Sequence, residues 1–436
     1  MVNEALAQRW LGRVVAARPG EMQALLWSFA YFFCLLAGYY VLRPLRDEMG
    51  IAGGVRNLPW LFTATFFTML AAVPLFGAVV AKLPRQRFIP LVYHFFVANI
   101  AIFWLMLTLG IARAEVARVF FVWISVFNLF AVSVFWSFMS DLYGSEQGKR
   151  LYGFIAAGGS AGALLGPLAT VSLVKAIGPV NLLIVAAVLI EAAIACAHRL
   201  ERAAPALKEG LDTDGRSKPD AKGLGGSWLA GLAMVLRSPY LAGIALWVSL
   251  LSLAGTFLYL QQADIVKAAS DDPAVRTRIF ATIDLAVGVL TLIVQFLATG
   301  RLIARFGAGP AAAFLPLVFG AGFCVLAGSP VLGVVIAFQA IQRTANFALS
   351  NPAREILFTV LDREEKYKAK SVIDMVVFRG VDSASSLLYG WMRGLGMELT
   401  TISLATVPVT GAWLVLSLWL GRAQERRALA PHRTSG

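Results

Sequence analysis

Twelve long apolar stretches, separated by short polar segments, follow one another along the 436-residue chain. A helix needs roughly 20 apolar residues to cross the hydrocarbon of a bilayer. The stretches lie near residues 24–45, 58–81, 88–109, 117–139, 152–174, 178–198, 238–260, 277–300, 308–328, 330–350, 370–392 and 398–421. They predict an all-α polytopic membrane protein of about twelve transmembrane helices. Residues 1–23 carry Glu4, Arg9, Arg13, Arg18 and Glu21 and so do not read as a secretory signal. The spacing of Leu6, Trp10 and Val14 within residues 3–18 suggests a short helix lying on the inner leaflet. The one long polar stretch, 199–237, reads as a linker. The pattern therefore divides the chain into an N-terminal segment (1–23), a six-helix bundle (24–198), the linker (199–237), a second six-helix bundle (238–421) and a tail (422–436).

The two halves echo each other. Gly77-Ala-Val-Val-Ala-Lys82 follows the second stretch and Gly300-Arg-Leu-Ile-Ala-Arg305 the eighth, with glycine, alanine and the basic residue in register. Asp141 with Lys149 and Arg150 follows the fourth stretch, and Glu355 with Lys366, Lys368 and Lys370 follows the tenth. A repeat of six helices joined by a long inner loop is the layout of major-facilitator-like secondary transporters, whose two bundles rock about a site near the midplane.

Composition agrees, with 58% hydrophobic and 14% charged residues. The net charge of +13 could suggest nucleic acid, but its distribution follows the membrane instead. With both termini inside, 26 of the 38 lysines and arginines fall in inner segments and 10 in outer ones. That is the positive-inside pattern, and it predicts an inner (plasma) membrane protein with cytoplasmic termini. Cys34, Cys196 and Cys324 sit in separate apolar stretches, as do His94 and His198, and no metal site, cofactor motif or disulfide framework is indicated. His94 reads as a packed polar residue and Glu191 as one near an interface. The expected partners are the bilayer and a small anionic solute, not nucleic acid; nothing in the pattern addresses oligomeric state.

Ionisable groups within apolar stretches are expensive and direct attention to function. Tyr39, Tyr40, Arg43, Arg46 and Asp47 fall within an arc of roughly 120° at helical spacing. They form either an anion- and ring-binding face or a helix end whose arginines reach the headgroups while Arg43 pairs with Asp47. In the eleventh stretch Ser371, Asp374, Arg379, Asp382, Ser385 and Ser386 share one face of an ideal helix. That face is either pore lining or a self-neutralising pair of Arg379 with Asp382. Arg343, Asn346, Asp284, Asn128 and Arg354 add further polar positions, and the surplus of arginine suits phosphate or carboxylate. Gly158, Gly162 and Gly166, four residues apart, predict close helix packing; the absence of a following Gly-Lys-Ser or Gly-Lys-Thr argues against a phosphate loop. No nucleophile–base constellation appears, which speaks against an enzyme.

Three segments carry a resemblance. Tyr40-Val-Leu-Arg43-Pro-Leu-Arg-Asp47, Gly148-Lys-Arg-Leu-Tyr152-Gly, and Ala353-Arg-Glu355-Ile-Leu-Phe followed by Lys366-Tyr-Lys-Ala-Lys370-Ser-Val-Ile-Asp374-Met-Val-Val-Phe-Arg379 resemble the non-mitochondrial nucleotide translocases of plastids and intracellular bacteria. The resemblance implies exchange of ATP for ADP, or movement of a related phosphorylated anion, by alternating access. It also implies a charged site, of which this chain keeps only part. Arg354 stands where exchangers of the family have a lysine before the glutamate that is here Glu355. Thr65 stands at the basic position of the second helix and Thr256 near the acidic position of the seventh, and the fourth stretch has no carboxylate between Glu115 and Asp141. On this reading Tyr39, Tyr40, Arg43, Arg46, Arg343, Arg354 and Arg379 bind substrate, while Asp47, Asp141, Glu355, Asp374 and Asp382 pair with the arginines when it is absent. A proton-coupled symporter working through Asp374, Asp382 or Asp284 is one alternative. A non-transporting membrane sensor or assembly factor is the other.

Overall fold

A computed structural model describes residue 18 and residues 21–82, 85–209 and 228–429. The surface helix expected within 3–18 and the middle of the linker lie outside the described residues. The long helices are α1 (Met22–Ala52), α2 (Leu58–Lys82), α3 (Arg85–Thr108), α4 (Arg113–Leu142), α5 (Ser145–Ile177) and α6 (Leu182–Glu209) in the first half of the chain. A short helix α7 (Trp228–Arg237) precedes α8 (Pro239–Ala269), α9 (Pro273–Phe306), α10 (Ala308–Gly328), α11 (Leu332–Leu357), α12 (363–394) and α13 (Leu399–Leu429). Eleven of these, all but α7 and α12, are long and apolar enough to cross a membrane. The exception among the expected spans, α12, is helical as predicted, but its charged residues keep its hydropathy low. No strand occurs among the described residues.

Three helices are interrupted by a π turn: α9 at Gln295–Thr299, α11 at Asn346–Ser350 and α12 at Ile373–Val377. Such wide turns inside α-helices concentrate at functional sites. The Thr299 hydroxyl donates to the Ala348 carbonyl at 2.8 Å, so the turns of α9 and α11 are tied together.

The helices group into two compact units. One contains the described residues up to Gly53, Ala71–Ala221 and Asp272–Leu285; the other contains Gly54–Leu70, Lys222–Asp271 and Ala286–Gly436. The first half of α2 thus groups with the second unit, and the first half of α9 with the first.

In the first unit α1 is central. The glycine repeat of α5 lies against it as the spacing predicts: a β-carbon on Gly158, Gly162 or Gly166 would come within 3.0 Å of the Phe29, Phe33 or Ala37 carbonyl. Aromatic rings fill the interior, with Phe32 stacked on Phe135 at 4.1 Å and Trp123 on Phe127 at 5.5 Å. At the start of α1, Glu21 accepts hydrogen bonds from Gln147 Nε2 (2.9 Å) and Arg150 Nη2 (3.0 Å) of α5. Part of the Gly148–Gly153 motif is thereby explained as a clasp between two helix ends.

Burial works against the Glu21 charge, but the hydrogen bonds from Arg150, from the Arg18 backbone and from Gln147 outweigh it, and the carboxyl is held below its ordinary range. A depressed carboxyl contributes stability that is complete above its unfolded value and is lost as pH falls through the folded one. Glu21→Gln is therefore expected to lower the melting temperature at pH 7. The gap from the native chain should narrow below about pH 4.5, as thermal scans across that range would show.

In the second unit α8, α10 and α13 pack around Trp247, Trp413, Phe319 and Phe323. Trp247 Nε1 donates to Ser417 Oγ at 2.9 Å, which satisfies the indole in an otherwise apolar interior. Gly309 and Gly421 bring α10 and α13 into backbone contact.

Candidate functional site

In the first unit the Tyr39–Asp47 face is held by three neighbouring helices, α4, α5 and α9. Tyr40 sits against Gly166, where no larger residue would fit, and its ring meets Tyr39 edge-on at 5.2 Å. The Arg43 guanidinium lies 5.7 Å over the Tyr40 ring and 3.6 Å from Asp284 of α9. Arg46 stacks 4.2 Å above Phe121 of α4 and lies 3.7 Å from Asp47. Its Nε is buried and has no hydrogen-bond partner among the described residues. A desolvated donor on a stacked guanidinium is poorly satisfied by protein alone and suited to an oxyanion.

Closer to the end of α1, Glu48 accepts from Arg276 Nε at 2.6 Å and Nη2 at 2.7 Å. The pair is almost dry, with side-chain exposures of 2% and 9%. Sequence reasoning missed it because α9 begins at Pro273 rather than near 277, which brings Arg276 into the helix. The signal was present in Glu48, a second acid directly after Asp47. Asp141, near the end of α4, is exposed.

The second unit holds the remaining candidates. Arg354 Nη1 donates to Asp374 at 3.0 Å, and its Nε is buried without a partner among the described residues. Lys370 Nζ donates to both oxygens of Glu355 at 2.7 Å. Arg343 is half-buried on α11, and Asn346 Oδ1, in the π turn beyond it, is buried without a hydrogen-bond partner. Asp382 is reached by Arg379 at 3.5 Å, and its Oδ1 accepts from Ser252 at 2.6 Å and Thr256 at 3.1 Å. Thr256, where the resemblance leads one to expect an acid on the seventh span, thus hydrogen-bonds a carboxylate that comes from α12.

The single polar face expected on α12 is divided. Asp374 faces Arg354, whereas Asp382 faces α8; the π turn at Ile373–Val377 shifts the register between them. Ser386 donates to the Pro59 carbonyl at 3.2 Å, so that hydroxyl anchors the start of α2 rather than lining a site. Ser385 is buried, and Ser371 donates to Met375 Sδ at 3.8 Å. Of the carboxylates expected to pair with arginine, Asp47 meets Arg46, Asp374 meets Arg354 and Asp382 meets Arg379, while Glu355 takes Lys370 instead. Two further clusters were not foreseen. Gln262, Gln339 and Gln342 form a buried amide chain, and Asp264 accepts from Tyr389 at 3.0 Å and lies 3.6 Å from Arg393. No group of three or more metal-ligating side chains occurs among the described residues.

No family model matches the chain. It is similar to the ADP,ATP carrier protein 1 of Chlamydia muridarum, 22% identical over 94% of this chain and 89% of the relative. The ADP,ATP carrier protein 1 of Chlamydia trachomatis is 23% identical over the same shares. Among solved structures, the nucleoside transporter NupG superposes with a TM-score of 0.60 at 12% identity, covering 95% of this chain and 100% of that one. A bacterial homologue of the iron transporter ferroportin, in an inward-facing state, gives 0.62 at 12% identity over 93% and 98%. The chain is therefore a polytopic membrane transporter with a major-facilitator-like fold, similar over most of its length to the ADP,ATP carrier proteins.

Proposed function

We propose that the protein moves a nucleotide, or a closely related phosphorylated anion, across the bacterial inner membrane by alternating access, with both termini in the cytoplasm. The observation that carries this reading is the pair of buried arginine donors: Arg46 and Arg354 each keep an Nε–H without an acceptor among the described residues while a carboxylate holds another part of the guanidinium or lies close to it. Phosphate oxygens would complete either arginine within its own unit, competing there with Asp47 or with Asp374. Tyr39 and Tyr40 offer ring faces beside Arg43, which suits a base attached to the phosphates. The ADP,ATP carrier relatives favour the same substrate class.

Proteoliposomes loaded with ADP are expected to take up labelled ATP faster than unloaded ones. Folded protein giving no uptake above empty vesicles removes the nucleotide reading.

A second reading, proton-coupled symport, draws on Asp382. Its carboxylate is buried with two hydroxyl donors, an arrangement able to hold or release a proton beside Arg379. Uptake that follows an imposed pH gradient and ignores internal ADP would select it.

A further inference from the structure

On the outside of the first unit, α3 and α6 carry an acid and a base where lipid should lie. Each helix buries one side: Tyr93, Phe96 and Ile100 on α3, Ala186, Ile190 and Ala193 on α6. The opposite side is apolar and exposed, with Phe95 at 60% and Val188 at 62%. His94 and Glu191 interrupt this surface. Their side chains are 54% and 45% exposed, and His94 Nε2 lies 3.7 Å from Glu191 Oε2.

Depth makes the pair costly. His94 stands five residues into the apolar span Ile89–Thr108 and Glu191 nine into Leu182–Ala203, about 8 and 13 Å from their beginnings. Successive short connections make α3 and α6 run oppositely through the membrane, so both side chains lie within a hydrocarbon layer about 30 Å thick. His94 Nδ1 lies 2.7 Å from the Pro90 carbonyl and, since a carbonyl only accepts, Nδ1 is the donor. Whether the pair is ionic or neutral, its polar edges face lipid that offers no hydrogen bond. A second pair, Trp104 Nε1 donating to Asn181 at 3.0 Å, ties the end of α3 to the turn just before α6.

We propose that this α3–α6 face is the contact between two copies of the chain, in which His94 and Glu191 of one copy meet Glu191 and His94 of the other. A patch carrying one acid beside one base is complementary to itself under a two-fold rotation, which is what an isologous contact requires. The four groups would then close a hydrogen-bonded ring out of reach of lipid, with Phe95 and Val188 packing around it. No substrate residue takes part, so the dimer stands or falls independently of the transport reading.

The test uses the full chain in liposomes, with Cys34, Cys196 and Cys324 replaced by serine and a single cysteine introduced. Val188→Cys is expected to crosslink into dimers under mild oxidation, and Val415→Cys, equally exposed on α13, is not. Fluorescently labelled protein at low density should bleach in two steps. The double variant His94→Leu, Glu191→Leu should weaken dimerisation at least tenfold while its melting temperature stays within a few degrees of the native value. One-step bleaching at every density, crosslinking at 415 but not 188, an undiminished dimer in the double variant, or capture of a different polypeptide at 188 in native membranes overturns the proposal.

Discussion

Replacing Glu48 by alanine is expected to lower the unfolding free energy by about 3–5 kcal/mol, because it strands the Arg276 guanidinium in a site of very low exposure. The two hydrogen bonds of 2.6 and 2.7 Å are bidentate, so no single water could replace the lost carboxylate. Removing both charges with Glu48→Leu and Arg276→Met should restore most of the loss. A buried pair contributes little net stability over an apolar replacement, whereas a lone buried charge is strongly unfavourable. A double-mutant cycle on detergent-solubilised protein, followed by tryptophan fluorescence in denaturant, reads both effects. A single-variant loss below about 1 kcal/mol would mean that water reaches the pair.

The second large effect concerns ligand. Arg46→Ala and Arg354→Ala are each expected to weaken ATP and ADP binding by about 10- to 150-fold, from the loss of hydrogen bonds to a charged group worth about 1.5–3 kcal/mol. Lysine should not restore either site. An ammonium keeps the charge but cannot stack on Phe121 as Arg46 does, nor hold Asp374 through one nitrogen while offering another to phosphate as Arg354 can. Thermal-shift titrations with ATP and ADP separate binding from folding, because a ligand stabilises the state it binds. Affinity retained within twofold in both alanine variants would make these arginines structural.

Much of the fold was legible because a bilayer imposes a simple code. Apolar length marks helices, and each of the twelve expected stretches is largely helical, although hydropathy alone passes only eleven. The Gly158–Gly162–Gly166 repeat also read true, since four-residue spacing places small residues in one line along a helix. Partner identities were less accessible. Arg43 and Asp284 are distant in sequence, and periodicity within one helix carries no information about which other helix it faces. The wheel drawn for the eleventh stretch failed for a different reason: it assumed 100° per residue through Ile373–Val377, where the helix widens. His94 read as packed because an apolar context says only that a residue is in the membrane, not which side of its helix meets lipid.

The π turns also bear on descent. Each contains one residue more than the α turn it replaces, so a relative without it would be one residue shorter within the helix. At 22% identity, matching such a relative without gaps would displace everything downstream by a position. In α11 the turn ends at Ser350, four residues before Arg354, so a neighbour would be taken for its counterpart. Homologues of Arg354 and Asp374 are therefore to be assigned by counting helical turns inward from Leu357, the end of α11, and from the start of α12 at Arg363. Any residue-by-residue comparison of α9, α11 and α12 must allow for one extra residue at each wide turn.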